Sequence, residues 1–169
     1  LDIASGEGYG SHLMAAQAAQ VIGVDIDSDA VRHAAHTYQR DNLEYQQGDC
    51  TAIPLPDHSV DVVVSFETIE HHDQHDAMMK EIKRVLRPEG LLIISSPDKH
   101  EYSDVPGYTN PYHVKELYRD EFESLLARYF GRHHLLGQRV IFGSALFDTQ
   151  PSALESYDAE HHQGQAGLP

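Results

Sequence analysis

Short apolar runs alternate with stretches of helical period along this chain, and that alternation leaves few folds open. VIGVDI, VDVVVSF and LLIISSP are β-branched runs of strand length. Between them, SDAVRHAAHTYQR repeats Val31, Ala34, Ala35 and Tyr38 at helical spacing, and the segment from Asp73 to Leu86 turns Met78, Ile82, Val85 and Leu86 to one side. Strands that alternate with helices predict an α/β architecture, a mainly parallel sheet covered by helices on both faces. LDIA reads as the end of a first strand, SHLMAAQAAQ as an Ala-rich helix and LEYQQ as a short third strand. RPEG stops the helix before LLIISSP. DKHEYSDVPGYTNPYH reads as loop, VKELYRDEFESLLARYF as helix and HHLLGQRVIFGSALF as strand.

A chain of 169 residues that is 40% hydrophobic predicts one core. The expected domain runs over 1–150, with a polar, weakly ordered tail over 151–169. Asp2 already touches a glycine turn, so strand one is expected to be truncated, and the reading leaves open whether a last strand is also lacking. A formal charge of −15 argues against nucleic acid as a partner. No apolar run approaches the ~20 residues of a membrane span, and Cys50 has no partner for a disulfide. The expected location is the cytoplasm, without membrane insertion, and the sequence leaves the oligomeric state open.

The turn itself is ASGEGYG, with glycines at 6, 8 and 10 between a strand and a helix. Glycines there allow tight turning and let a ligand approach the backbone. A dinucleotide fingerprint would place its third glycine or alanine at position 11, which is Ser11. Asp2 precedes the loop, Glu7 lies within it, and Asp25 and Asp49 end the next two strands. Four carboxylates repel a pyrophosphate and suit a ligand carrying an ammonium, a sulfonium and ribose hydroxyls. S-adenosylmethionine is such a ligand. Asp25 sits where ribose recognition is expected, about 20 residues after the loop; its competing reading is a cap for the helix starting near Ser28.

LDIASGEGYG, VIGVDID, QGDCTAIPLPDHSVDVVVSFETIEH and EIKRVLRPEGLLIISSP, in this order, resemble the class I S-adenosylmethionine-dependent methyltransferases. The resemblance covers residues 1 to about 147 and implies a Rossmann-like fold. It also implies that Asp2, Ala4, Gly6, Glu7 and Gly8 line the methionine end of the cofactor, Asp25 and Ile26 the ribose and its surroundings, and Asp49 with Cys50 the adenine edge, with Ser65 closing strand four. Ala4 stands where the family often has Gly. The charges of KEIKRVLR read as a solvated helix face.

FETIEHHDQH follows strand four, at the sheet edge that borders such a cleft. Methyl transfer to a hydroxyl requires its proton to be removed or its pKa lowered, by a base or a metal. His71 and His72 are the candidate bases. Glu67, Glu70 and His71 fall at i, i+3 and i+4, which one helical turn would place on one face. With His113 from NPYHVKEL they resemble the metal set of the small-RNA 3'-end 2'-O-methyltransferases, and such a set suits Mg²⁺, Mn²⁺ or Zn²⁺. Acidic residues near a helix start also gain from its dipole without any metal. SFETIEH, SSPDK, NPYHVKEL and HLLGQRVIFGS resemble methyltransferase domains associated with bacterial glycosyltransferases, which implies a sugar or glycan hydroxyl as acceptor. A quinone-like small molecule, or an inactive cofactor-binding module of a larger polypeptide, are the alternatives.

Overall fold

The computed structural model describes residues 1–141, 143–148, 155–157 and 163–164. The chain divides into two compact units, Leu1–Tyr129 and Phe130–Pro169. The first holds five parallel strands in the order β3-β2-β1-β4-β5: β1 Asp2–Ile3, β2 Val21–Asp25, β3 Leu43–Gln47, β4 Val60–Ser65 and β5 Leu86–Ile94. Helices α1 (Tyr9–Met14), α2 (Ser28–Thr37) and α3 (His75–Val85) make the crossovers, and α4 (Arg119–Tyr129) packs on α3. From β1 the chain winds outward through β2 to β3, then returns to β4 and winds the other way. Right-handed crossovers therefore put α1 and α2 on one face and α3 on the other. The strand order reverses between β1 and β4, and a crevice opens at their carboxyl ends.

The predicted apolar faces form the core. Ile3, Val24 and Val63 from the central strands are buried, as are Met78, Ile82, Val85 and Leu86, the inner side predicted for α3. In α2 only Ala34 of the predicted face is fully buried. Leu125 and Leu126 give α4 its buried side.

Four elements differ from expectation. The first helix stops at Met14, because Asn42 donates from its amide to the carbonyls of Ala15 and Ala18, both at 2.8 Å. Strand five begins at Leu86, so RPEG lies inside it as an irregularity: Val60 pairs with Leu86 but Val62 pairs with Leu91. Gly90 fits closely there, since a Cβ would lie 2.7 Å from Leu86 Cδ2 and 3.0 Å from the carbonyl oxygens of Arg87 and Asp61. The expected loop after strand five contains a π-helical turn, His100–Asp104. The last helix starts at Arg119, because Leu117 makes an isolated parallel bridge with Asp98.

In the second unit β6 (Leu136–Ile141), β7 (Gly143–Asp148), β8 (Glu155–Tyr157) and β9 (Gln163–Gly164) form an antiparallel sheet in sequence order. The stretch expected as one strand is thus two, with Ile141 opposite Gly143. Apart from β8 and β9, the tail expected over 151–169 lies outside the described residues. Among the described residues no helix is long and apolar enough to cross a membrane.

Candidate functional site

The glycine loop is tied to the end of β2. Ser5 N–H donates to the Val24 carbonyl at 3.0 Å, and Gly6 N–H donates to Asp25 Oδ2 at 2.8 Å. The other carboxylate oxygen, Oδ1, accepts from Asp27 N–H at 2.9 Å. Each oxygen keeps acceptor capacity, so the carboxylate can still bind a pair of hydroxyls. Capping of α2 falls to Asp27, whose side chain accepts from Asp29 N–H at 2.8 Å. Asp25 is therefore not the helix cap. Ile26 beside it is 67% exposed and offers an apolar surface at the same edge.

The glycines serve different ends. Gly6 has φ 54° with open space where a Cβ would be, a conformation that favours glycine and a surface that a ligand can approach. Gly8 has φ 90°, and a Cβ there would lie 2.6 Å from the Ala34 Cβ and 2.7 Å from the Tyr45 hydroxyl. Tyr45 donates to the Gly8 carbonyl at 2.8 Å and its ring lies over Gly23, so it clamps the loop onto the sheet. Ala4, where the resemblance expects Gly, has φ 59°. Glu7 is exposed at the loop surface.

Asp2 is buried and accepts from Ser11 Oγ at 2.6 Å. Burial pushes its carboxyl above the usual range, against the Ser11 hydrogen bond. Asp49 accepts from both the N–H and the hydroxyl of Thr51, at 2.7 and 2.8 Å, which holds it below the usual range. Burial and the neighbouring Asp49 push the Cys50 thiol up to about 11, so it is no nucleophile near neutrality. Its Sγ lies 3.6 Å from His72 Nε2.

His72 faces inward. Its Nδ1 accepts from Gln74 N–H at 3.1 Å, and Nε2 lies 3.3 Å from Met78 Sδ. Burial lowers its pKa, and the neighbouring His75 adds to this. His71 is half-exposed and donates from Nδ1 to the Tyr112 carbonyl at 3.0 Å, which leaves Nε2 as its lone-pair nitrogen. Of the four expected metal ligands, Glu70, His71 and His113 have ligand atoms within 4.8 Å of one another. Glu67 is not in the set. Its φ of 50° breaks the expected helical turn, which spans only Ile69–His71, and its carboxylate instead accepts from Ser95 Oγ at 2.6 Å.

The loop after β5 is fastened here: Val114 and Lys115 N–H both donate to the Glu70 carbonyl, at 2.8 and 3.1 Å. Glu116, which the sequence reading passed over, accepts from His113 Nδ1 and from Ser103 Oγ, each at 2.5 Å. The spacing His113-x-x-Glu116 was the available signal. On the KEIKRVLR face Lys80, Lys83 and Arg87 are exposed, as a solvated face requires, but Arg84 departs from it. Arg84 reaches Glu81, Asp57 and the carbonyls of Ile53 and Leu55.

Buried polar atoms without partners gather at the same edge. Among the described residues they are Ser5 Oγ, His12 Nδ1, Ser65 Oγ and Glu70 Oε2. Ser5, Ser65 and Glu70 follow or end the two central strands, so three of the four border the crevice. Orphaned polar atoms are rare in folded chains, and a cluster at a strand-order reversal fits a polar ligand. With Gly6 open and Asp25 able to accept hydroxyls, the residues fit an adenosyl ligand with a charged tail.

Comparison with known proteins agrees. A family model described as a methyltransferase domain matches residues 1–94. A protein of Mycobacterium tuberculosis named as a probable S-adenosylmethionine-dependent methyltransferase is 46% identical over 129 residues, which is 75% of this chain and 46% of that protein. A fatty-acid O-methyltransferase of Mycolicibacterium smegmatis is 30% identical over 108 residues, 63% of this chain and 39% of that one. The crystal structure of YcgJ from Bacillus subtilis superposes with a TM-score of 0.68 at 22% identity, covering 82% of this chain and 61% of that one, a likeness of fold. The chain spans about half the length of the curated relatives it matches.

Proposed function

This chain belongs to the S-adenosylmethionine-dependent methyltransferase domain family, and on that premise we propose that it transfers a methyl group to the hydroxyl of a sugar or glycan. The observation that carries the reading is the Gly6–Asp25 tie at the crevice, 2.8 Å long, with Glu70 and His71 in the turn after the neighbouring strand β4 and His113 brought to them by the loop before α4. S-adenosylmethionine supplies a sulfonium methyl that is already activated for in-line displacement. Asp25 accepts the ribose hydroxyls while its hydrogen bond fixes the loop. Ile26 would stand beside the ribose, and Asp49 and Cys50 would border the adenine edge. Gly6 lets the methionine portion approach the backbone, and the charge of Asp2 stands behind its ammonium. His71 directs Nε2 toward the acceptor and takes the hydroxyl proton, or helps to hold a divalent ion that lowers the hydroxyl's pKa.

Support for an acceptor site at this position comes from the loop that ends beside His71. Tyr108 and Tyr112 are 49% and 77% exposed there, and exposed aromatic surface rimmed by polar groups marks ligand sites. Incubation with methyl-labelled S-adenosylmethionine and a panel of sugar nucleotides, glycan ends, quinols and fatty acids tests the reading. Label in an alkali-stable ether on a glycan is expected. Label only on quinols would move the acceptor to the quinone-like class, and label only in alkali-labile esters would move it to carboxylates. Cofactor binding without transfer to any acceptor would leave a binding module.

A further inference from the structure

The geometry points to a divalent transition-metal site formed by Glu70, His71 and His113, with Tyr112 and Glu116 as its outer shell. This deepens the proposed methyl transfer and rests on it for its catalytic meaning, but it stands on its own observations. Three groups from two chain regions converge: Glu70 and His71 from the short turn after β4, and His113 from the loop that leads to α4. Glu70 is 1% exposed, and its Oε2 has no hydrogen-bond partner. A buried carboxylate oxygen left without a donor is costly, and a cation is one of the few things that satisfies it.

The imidazoles carry the second observation. A histidine that binds a metal through one nitrogen usually donates its other N–H to a carbonyl or carboxylate, which fixes tautomer and ring orientation. Both histidines do this. His71 donates from Nδ1 to the Tyr112 carbonyl at 3.0 Å, and His113 donates from Nδ1 to Glu116 at 2.5 Å. Glu116 is itself buried and accepts from Ser103. Both Nε2 atoms are left as lone-pair donors, with the ring centroids 5.1 Å apart and perpendicular.

One carboxylate and two imidazoles are a three-ligand set that suits Zn²⁺ or Mn²⁺ and leaves a coordination position for an acceptor hydroxyl. Ligand bonds of about 2.1 Å in a tetrahedron imply ligand separations of roughly 3.4 Å. The group, now within 4.8 Å, would close by about 1 Å or a little more. Asn110 donates to His113 Nε2 at 3.0 Å, so ion binding exchanges that hydrogen bond for a metal bond. Asn110 also donates to the Tyr102 hydroxyl at 3.1 Å and keeps that partner.

Equilibrium dialysis of the full chain against Zn²⁺ and, separately, Mn²⁺ tests the assignment, with S-adenosylhomocysteine calorimetry as the control for folding. One ion per chain is expected. Glu70→Gln and His113→Gln should each weaken that site at least 10-fold, Glu116→Gln should weaken it by about 10- to 100-fold, and Glu67→Gln should leave it unchanged. Absence of a bound ion, or equal affinity in wild type, Glu70→Gln and His113→Gln, overturns the site whatever the cofactor result. Loss of the ion in those variants while S-adenosylhomocysteine still binds establishes it, even if no acceptor is ever methylated. His113→Asn and Glu70→Ala replace any variant that loses cofactor binding.

Discussion

Gly6 and Asp25, 19 residues apart, are joined by a 2.8 Å hydrogen bond from the backbone N–H of one to the carboxylate of the other. One side chain thus shapes the loop and presents the acceptors that a ribose requires, which couples loop order to cofactor recognition. Its loss should affect both.

Ala4 and Gly8 test the loop's backbone. Ala4 carries φ 59°, where an L-residue costs about 1 to 2 kcal/mol. Ala4→Gly should therefore stabilise the chain by roughly 0.5 to 1 kcal/mol after the entropy gained by the unfolded glycine is subtracted. Gly8→Ala should destabilise by about 2 kcal/mol or more, because strain at φ 90° adds to overlap with Ala34 and Tyr45. Thermal melts of the two variants should move in opposite directions. A neutral Gly8→Ala would mean that Tyr45 does not clamp the loop.

Asp2 gives a pH signature. Burial raises its pKa in the folded chain, partly opposed by the Ser11 hydrogen bond. A raised pKa favours folding below the ordinary carboxylate range and costs stability as pH rises through the folded value. Asp2→Asn, which can still accept from Ser11, should gain stability over wild type from about pH 5 upward and match it near pH 3. Cofactor affinity should fall in the same variant. Melting curves across that range, with equal gaps at both ends, would contradict the assignment.

Arg84 holds the segment before β4 against α3 by hydrogen bonds to Glu81, Asp57, Ile53 and Leu55. Arg84→Ala leaves two carbonyls and the Glu81 carboxylate without this donor and should cost about 2 to 3 kcal/mol. Arg84→Lys should recover little, since one ammonium cannot replace a planar fork. Denaturant midpoints measure both; a wild-type midpoint for Arg84→Ala would restore the reading of a solvated face.

Most of the sheet was legible because its strands are continuous β-branched runs, and the inner side of α3 because Met78, Ile82 and Val85 keep a strict period. The Gly6–Asp25 end of the crevice was legible for a similar reason, being carried by local sequence. What periodicity does not encode are side chains acting at long range. Asn42 ends α1 from beyond α2, and Ser95 draws the Glu67 carboxylate out of its expected group across 28 residues. Glu116 escaped notice because its role depends on how the loop after β5 returns to Glu70.

Titration calorimetry of S-adenosylmethionine into wild type and Asp25→Ala tests the central claim most directly. The account predicts one cofactor per wild-type chain and a loss of about 1.5 to 3 kcal/mol in the variant, the value of hydrogen bonds to a charged acceptor. That loss corresponds to a Kd raised roughly 10- to 150-fold. Equal binding by both proteins, or none by wild type, would contradict it.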